Sequence, residues 1–295
     1  MAPSFADVKQ AVALLVDPWI FMSLSLSCLP RTIFSLLLAG QFSTLFSPSR
    51  LQEVWFGRFW SFAGPNARFH VEKRVVPLLE GRVSAGRILP ESATNDDTAS
   101  SGNERVSGVV MEIGPGIGIW ASVFAHPALS PTILQVYGVE PNASHHAELR
   151  QRVVKAGLGD RYEIVPVGIE NLESSGRVQR ESVDCIVSIL CLCGVPEPER
   201  NIRELYSYLK PGGRWYVFEH VKHGSQGVRD TGRLMRYYQA FVNIFWPTAI
   251  GGCELCRNTG KSLMEAGPWS KIDLVQMDGE PTCKVLPHVY GTLTK

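Results

Sequence analysis

The stretch Val109-Val110-Met111-Glu112-Ile113-Gly114-Pro115-Gly116-Ile117-Gly118 decides the fold. It begins as an apolar run with the length of one buried β-strand and ends in three glycines at alternate positions. Glycine has no Cβ, so a ligand can approach its backbone closely and a positive φ costs little. The following residues, 119–125, predict a helix start, whose free N–H groups attract an electron-rich ligand. This order of strand, glycine turn and helix is typical of a nucleotide-type cofactor site.

The spacing of the glycines separates two classes of cofactor. A dinucleotide-binding turn has the pattern G-x-G-x-x-G, but that frame would place Ile119 at the last glycine. Glu112 stands two residues before the first glycine, where its carboxylate would repel a pyrophosphate and attract ammonium and sulfonium groups. Because S-adenosylmethionine carries both groups, the stretch predicts a site for this cofactor. The alternative is an ordinary surface turn after a strand.

The rest of the chain alternates apolar strand patterns with helical patterns, which predicts a parallel sheet covered on both faces. The further strands are expected at residues 133–139, 162–167, 183–190, 215–218, 271–277 and 285–293. The last two are expected to form an antiparallel pair at the sheet edge. The predicted fold class is therefore α/β, with a Rossmann-like, seven-stranded, mostly parallel sheet, an antiparallel last strand and an N-terminal hydrophobic helical appendage.

Ligands of such sheets collect at the carboxyl ends of the strands. Glu140 ends the second strand, 22 residues after Gly118, and this spacing predicts hydrogen bonds to ribose hydroxyls. Beyond the third strand, Ile169 is placed to stack on an adenine ring. The predicted cofactor-binding residues are Glu112, Gly114, Pro115, Gly116, Gly118, Glu140, Pro141, Ile169, Glu170, Leu190 and Cys191.

The predicted catalytic residues, Glu219 and His220, end the fifth strand at the same edge. An imidazole with an ordinary pKa of about 6.5 suits a proton acceptor. A structural histidine that bonds Glu219 is an equally weighted alternative. The spacing of four cysteines matches a Cys₄ zinc site poorly, so we expect no metal and interpret them as free thiols beside the pocket. These four cysteines are Cys191, Cys193, Cys253 and Cys256.

Composition excludes some partners. The 295 residues include 29 Lys and Arg and 28 Asp and Glu, and the net charge of +1 gives no general attraction to nucleic acid. We expect no nucleic-acid partner and a monomer. Seven cysteines without a recognisable signal peptide indicate reduced thiols in a cytosol-facing protein.

Residues 11–46 are apolar and are expected to associate with a membrane. Pro18 and Pro30 favour two short helices over one long helix. A single span, a shallow hairpin, an interfacial pair of helices and a helical cap on the protein's own core all stay open. The aromatic and basic stretch 54–62 suits either a membrane interface or a lid over a substrate pocket.

We expect four regions along the chain. Residues 91–104 contain no large apolar side chain, which predicts a disordered loop. The expected regions are a hydrophobic membrane-associating segment (1–49), an aromatic and basic helical connection (50–90), the loop (91–107) and a methyltransferase domain (108–295).

Seven short motifs carry a resemblance to a known family. They are EIGPGIG (112–118), VEPN (139–142), LCGV (192–195), LKPGG (209–213), EHV (219–221), FW…GGCELCRNT (245–259) and PHVYG (287–291). The order of elements resembles the class I S-adenosylmethionine-dependent methyltransferases, and the last three motifs resemble the membrane-bound thiol S-methyltransferases. Two departures concern Pro115, where that family usually has cysteine, and Ile169, where it has glycine.

The resemblance implies an enzyme that methylates a small lipophilic thiol. It also implies an endoplasmic reticulum or lipid droplet location with the catalytic domain facing the cytosol. One alternative is an O- or N-methyltransferase of a lipophilic metabolite. Another is a membrane-anchored cofactor-binding protein without activity, against which the intact glycines and Glu140 speak.

Overall fold

The computed structural model describes residues 4–90, 104–229 and 231–295. The expected loop 91–107 therefore lies mostly outside the described residues. The helices are α1 (Phe5–Leu38), α2 (Phe42–Leu45), α3 (Pro48–Leu79), α4 (Ala121–Phe124), α5 (His146–Lys155), α6 (Leu172–Ser175), α7 (Pro198–Tyr208), α8 (Arg233–Asn243), α9 (Trp246–Ala249) and α10 (Thr259–Met264). The strands are β1 (Val83–Ser84), β2 (Arg87–Ile88), β3 (Gly108–Ile113), β4 (Ile133–Val139), β5 (Tyr162–Val165), β6 (Val183–Ile189), β7 (Leu209–His220), β8 (Lys271–Gln276) and β9 (His288–Thr294).

Seven strands form one sheet in the order β5-β4-β3-β6-β7-β9-β8. The five strands β3 to β7 pair with one another in parallel, and β9 runs antiparallel to both β7 and β8. The predicted fold class is confirmed. Strand order reverses between β3 and β6, and a parallel sheet opens a crevice at the carboxyl ends of two such strands. The glycine turn follows β3 directly and therefore lies in this crevice.

The central strands are buried on both faces, which explains their nearly continuous apolar sequence. One apolar cluster lies on the face covered by the end of α3, α4 and α5, and includes Val75, Phe124 and Leu149. The other face packs against α7 and α10, through Leu205 and Leu263 among others. A third cluster joins α1 and α3 to α9. The sheet is therefore buried between two helical layers, and the N-terminal helices pack over the carboxyl ends of its strands.

The N-terminal segment forms one continuous helix of 34 residues, α1, with Pro18 and Pro30 inside it. The prediction of two short helices divided by the prolines was wrong. Packing compensates for the lost backbone hydrogen bonds, because one side of the helix is anchored to the domain. The hydroxyl of Ser25 donates to Ala249 O (2.6 Å), and Trp55 Nε1 donates to Ser25 O (2.7 Å).

Two local predictions also differ from the structure. The helix after the glycine turn is a single turn, α4, because Pro127 follows closely and disfavours helical backbone at the residue before it. The Lys210–Gly213 turn lies inside β7 instead of before it. The pairing register with β6 jumps there from Leu209 to Arg214, so the four residues bulge out of the ladder.

Candidate active site

One cavity of about 620 Å³ lies at the carboxyl ends of β3, β4, β6 and β7. Its floor is formed by the turns that follow these strands, and α1 and α3 supply its roof. We call the part beside the glycine turn the cofactor end, and the part between α1, α9 and the end of β7 the acceptor end. Typical small-molecule sites occupy roughly 300–1,000 Å³, so this cavity has the volume of a small-molecule site.

Most of the predicted site residues line this cavity. Those that do are Gly114, Pro115, Gly116, Glu140, Pro141, Ile169, Glu170, Leu190, Cys191 and His220. Three others, Glu112, Gly118 and Glu219, lie behind the lining, and their contacts are described below. The fold therefore brings the predicted residues together at one cavity, and the structure separates those that line it from those behind the lining.

Glu140 organises the cofactor end. Its Oε2 accepts a hydrogen bond from Gly116 N (2.8 Å), and its Oε1 accepts one from Asn142 N (2.9 Å). His145, which the sequence did not single out, places its Nδ1 3.4 Å from the same Oε1. The carboxylate is therefore fixed between the glycine turn and the turn after β4, although only 4% of the residue is exposed.

The glycine turn leaves space that a side chain would fill. Gly114 and Gly116 adopt φ values of +61° and +56°, which favour glycine. A Cβ on Gly114 would lie 2.8 Å from the Cβ of Cys191, and one on Gly116 would lie 3.2 Å from Trp60 Nε1. A turn of this kind fits the close backbone approach that an S-adenosylmethionine site requires. Gly118 has a different role, since it allows close packing against Leu149.

Glu112 is buried behind the turn. Its Oε2 accepts a hydrogen bond from the Tyr162 hydroxyl (2.6 Å), and its Oε1 has no partner among the described residues. Burial raises the pKa of Glu112 to about 7, even though the bond from Tyr162 acts in the opposite direction. The structure therefore places this carboxyl where it supports β3 and the turn.

Glu219 supports the floor of the cavity. Its carboxylate accepts hydrogen bonds from the backbone N–H groups of Cys191 and Leu192, at 3.1 and 3.2 Å, and from the Cys191 thiol (3.4 Å). Burial raises the pKa of Glu219 to about 7. These contacts tie the end of β7 to the turn after β6, and the partner of His220 is a different residue.

His220 instead belongs to a cluster with Cys193 and Cys253, which we call the sulfur–imidazole cluster. Its Nε2 lies 3.1 Å from Cys253 Sγ, and Trp246 Nε1 donates to the same sulfur (3.2 Å). The two sulfurs and the imidazole nitrogen all lie within 4.8 Å of one another. All three side chains line the cavity at its acceptor end and are at least nine-tenths buried.

The other two cysteines of the predicted thiol group lie elsewhere. Cys191 bonds Glu219, and Cys256 lines a separate cavity of about 270 Å³. Cys191 and Cys256 therefore lie apart from Cys193 and Cys253, which the fold groups with His220 instead. The chain turns at Gly251 and Gly252, and this turn brings Cys253 to the end of β7. No residue pattern in the sequence predicts this direction.

Aromatic side chains of α1, α3 and α9 form the roof of the cavity. Phe56 and Trp60 stack with their ring centres 5.7 Å apart, and Phe21 stacks on Trp246 at 5.8 Å. All four line the cavity. Within the aromatic stretch 54–62, Phe56 and Trp60 line the cavity, whereas Phe62 is 69% exposed. Phe21 and Trp246 were missed, since aromatic residues in apolar helices give no signal that separates them from core.

The sequence comparisons agree with this geometry. The profile of a family described as methyltransferase domain matches residues 92–253, more than half of the chain. The chain belongs to the methyltransferase domain family. It is an S-adenosylmethionine-dependent methyltransferase, and S-adenosylmethionine is its cofactor, as the glycine turn predicted.

The methyltransferase is similar to curated thiol S-methyltransferases. It is 27% identical to human thiol S-methyltransferase TMT1A over 187 residues, which cover 63% of this chain and 70% of the human protein. It is 28% identical to thiol S-methyltransferase TMT1B of Rattus norvegicus over 194 residues, with the same shares. Among solved structures, an O-methyltransferase family protein from Burkholderia thailandensis superposes with a TM-score of 0.52 at 13% identity. That alignment covers 83% of this chain and 62% of the Burkholderia chain, and it supports the fold.

Proposed function

We propose that this methyltransferase transfers a methyl group to the sulfur of a small lipophilic thiol. The observation that carries the proposal is the continuity of the cavity, which runs from the glycine turn to the sulfur–imidazole cluster under an aromatic roof. An apolar acceptor gains free energy when it leaves water for such a surface, at about 25 cal/mol per Å². The similarity to thiol S-methyltransferases supports the same choice of acceptor.

We propose roles for the residues of the cofactor end from their positions. Glu140 bonds the ribose hydroxyls, Ile169 packs on the adenine, and the backbone at Gly114 and Gly116 lies beside the amino-acid portion. Pro141, Glu170, Leu190 and Cys191 complete the lining. Glu112 acts as a positioning residue through Tyr162, and Gly118 through Leu149.

S-Adenosylmethionine supplies an electrophilic methyl group on a sulfonium. The protein's own part is to hold the acceptor sulfur in line with that methyl and to exclude water. A free thiol has a pKa of about 8.5, so it needs less help to lose its proton than an alcohol does. We therefore propose different roles for Glu219 and His220, which the sequence grouped as a catalytic pair. His220 faces the acceptor beside Cys193 and Cys253, and Glu219 positions the floor.

We also propose a place for the protein on a membrane. Within the described ranges one helix, α1, is long and apolar enough to cross a bilayer, judged by length and composition. Its inner side is anchored to the domain, and its outer side exposes apolar residues such as Val12 and Val16. Exposed residues of α8 adjoin that side, because Trp19 packs against Phe241 with ring centres 5.7 Å apart. We infer that α1 lies along the membrane surface and that the acceptor enters from it.

A methyl-transfer assay with an acceptor panel tests the substrate. The full-length protein in detergent is incubated with radiolabelled cofactor and with a thiol, a phenol and an amine of matched carbon skeleton. We expect the thiol to be methylated at least about tenfold faster, because its pKa of about 8.5 lets it lose a proton more readily than the phenol or the protonated amine does. A preference for the phenol or the amine would replace the thiol with another acceptor.

A flotation assay tests the membrane proposal. Val12→Asp together with Val16→Asp places two charges on the exposed side of α1 without touching the cavity. We expect the double variant to leave vesicles, whereas Val154→Asp, on the exposed side of α5, stays with them. Equal flotation of both variants would contradict the membrane-bound face. Deletion of residues 1–49 is a poorer test, because it also removes part of the cavity roof.

A further inference from the structure

The sulfur–imidazole cluster is an unusual set of donors for the wall of an apolar cavity. Two thiols and one imidazole nitrogen converge within 4.8 Å of one another, and each residue is at least nine-tenths buried. Core packing alone does not require three polarisable donor atoms to face the same point. We propose that this cluster binds one zinc ion through Cys193, His220 and Cys253 and leaves its fourth position open to the acceptor.

The distances suit a tetrahedral ion. Zinc–sulfur bonds of about 2.3 Å and zinc–nitrogen bonds of about 2.0 Å place the ligand atoms of a tetrahedral site roughly 3.5–3.8 Å apart. The His220 Nε2 to Cys253 Sγ separation of 3.1 Å, and the 4.8 Å limit on all pairs, lie on either side of that range. Small side-chain rotations therefore bring the three atoms to coordination distances without moving the backbone.

The donor types favour zinc over the hard cations. Thiolate and imidazole ligands select zinc and other soft or borderline metals, whereas magnesium and calcium prefer oxygen. When Cys193 and Cys253 lose their thiol protons to solvent, two thiolates balance the charge of a divalent cation, so the site with its three protein ligands is neutral before the acceptor binds. A neutral site suits surroundings such as Phe21 and Trp246, because an isolated buried charge would be costly.

The surroundings hold the ligands in place. Trp246 Nε1 donates a hydrogen bond to Cys253 Sγ (3.2 Å), the kind of support that metal-bound sulfurs receive from outer residues. The backbone N–H of Glu254 donates to Cys193 O (3.0 Å), which joins the two cysteine loops directly. Arg257 Nη1 donates to Leu192 O (3.1 Å) and to Val195 O, so it fixes both sides of Cys193. These contacts hold the two cysteine loops together, and His220 is placed by its position at the end of β7.

The open position gives the ion a role in the reaction, and this role rests on the proposed function. Catalytic zinc sites have three protein ligands and one exchangeable position, which here faces the cavity. When a thiol occupies that position, its S–H bond breaks, a zinc–sulfur bond forms and the proton leaves to solvent. The sulfur is then held as a thiolate at neutral pH. His220 acts as a ligand in this state and not as the proton acceptor.

Metal analysis tests the site independently of activity. The full-length protein is purified in detergent without added metal or chelator, and zinc is measured by inductively coupled plasma mass spectrometry. We expect about one zinc per chain, and at least a fivefold loss in Cys193→Ser, Cys253→Ser and His220→Asn. Cys256→Ser is the matched control, since it lies three residues from Cys253 and lines the other cavity, and it should keep its zinc.

A second measurement detects coordination directly. Metal-free protein is titrated with cobalt(II) chloride, and we expect the visible and near-ultraviolet bands of tetrahedral thiolate coordination. Cys253→Ser should lack the charge-transfer band at a matched cobalt concentration, whereas Cys256→Ser should show it. Binding of S-adenosylhomocysteine to each variant confirms that it is folded. Absence of zinc in the wild-type protein, zinc unaffected by the three substitutions, or a Cys193–Cys253 disulfide as isolated would overturn the site.

The acceptor panel separates this proposal from the proposed function. If metal-free protein methylates thiols at the full rate, the catalytic role of the ion is wrong and the thiol function stands. If the zinc is bound but no thiol is methylated, the metal site stands and the proposed acceptor is wrong. We expect loss of thiol methylation on zinc removal and its return when zinc is restored.

Discussion

The two ends of the cavity are built in different ways. The cofactor end consists of the turns that follow neighbouring strands, and each turn is close in sequence to the strand that positions it. The acceptor end is assembled from α1, α3, α9 and the loop carrying Cys253, which lie up to about 240 residues apart in the sequence. One end of the cavity is therefore built by the sheet's own turns, whereas the other depends on what packs against the sheet edge.

The largest effect should come from closing the glycine turn. In Gly116→Arg, a side chain would enter the cavity beside Trp60 at a residue with φ of +56°. We expect at least about a 100-fold loss of affinity for S-adenosylhomocysteine, because backbone strain of about 1–2 kcal/mol adds to the steric overlap. Isothermal titration calorimetry measures it. Gly157→Arg, with φ of +73° and no neighbour within 4 Å, is the control and should bind normally.

Glu140→Gln should weaken cofactor binding to a lesser degree. The amide keeps the size of the side chain but removes the charge that we propose bonds the ribose hydroxyls. Hydrogen bonds to charged groups contribute roughly 1.5–3 kcal/mol, so we expect about a 10- to 100-fold weaker affinity. Glu173→Gln, at an exposed ion pair with Arg180, serves as control. An unchanged affinity in Glu140→Gln would mean that the carboxylate only supports the turn.

The acceptor end should respond in a different kinetic parameter. Phe21→Ala removes a ring that packs against Phe59 and Trp246 and lines the cavity. We expect the KM of a lipophilic thiol to rise about tenfold through lost apolar contact, with the affinity for S-adenosylhomocysteine unchanged. Ile20→Ala alters the neighbouring residue, which is 54% exposed, and should change neither. Equal losses at both ends would erase the distinction between them.

The smallest effect on activity concerns the buried Glu112, whose titration changes stability instead of binding. Its folded pKa of about 7 lies above the ordinary value of 4.5, so between these values the folded state binds more protons than the unfolded state. This contribution to the free energy of unfolding therefore falls as the pH rises from about 4.5 to 7. Glu112→Gln lacks this term.

Thermal unfolding in detergent at pH 5 and pH 8 measures the difference. We expect the wild type to lose roughly 5–10 °C more than Glu112→Gln between the two values, because a pKa raised from 4.5 to about 7 changes the free energy of unfolding by about 2–3 kcal/mol over this range. Parallel behaviour of the two proteins would contradict a raised pKa at this site. Other buried groups, such as the Glu280–His288 pair, titrate alike in both proteins and cancel in the comparison.

The residues predicted for the cofactor end gather at one sheet edge because the signals that predict them are local. Glycine spacing after a strand and an acid at the end of the next strand report backbone geometry and position on one sheet edge. The same locality explains the limits of the prediction. Glu112 and Gly118 belong to the motif, but the contacts that place them behind the lining, the Tyr162 hydroxyl on Glu112 and Leu149 packed against Gly118, come from residues distant in sequence.

The acceptor end was predicted only in outline. The prolines of α1 suggested two helices, yet packing through Ser25 and Trp55 stabilises one. The pairing of His220 with Cys253 depends on a loop that returns to β7 after α9, and no periodicity in the sequence encodes that return. Long-range packing, and not local propensity, therefore determines both the single helix α1 and the position of Cys253.

The most direct test that one cavity holds both cofactor and acceptor is a structure of the full-length protein with S-adenosylhomocysteine and a lipophilic thiol bound. We expect the ribose on Glu140, the adenine beside Ile169 and the thiol sulfur against Cys193, His220 and Cys253, all in one cavity. Adenosine bound elsewhere, or a thiol held outside the aromatic roof, would contradict it.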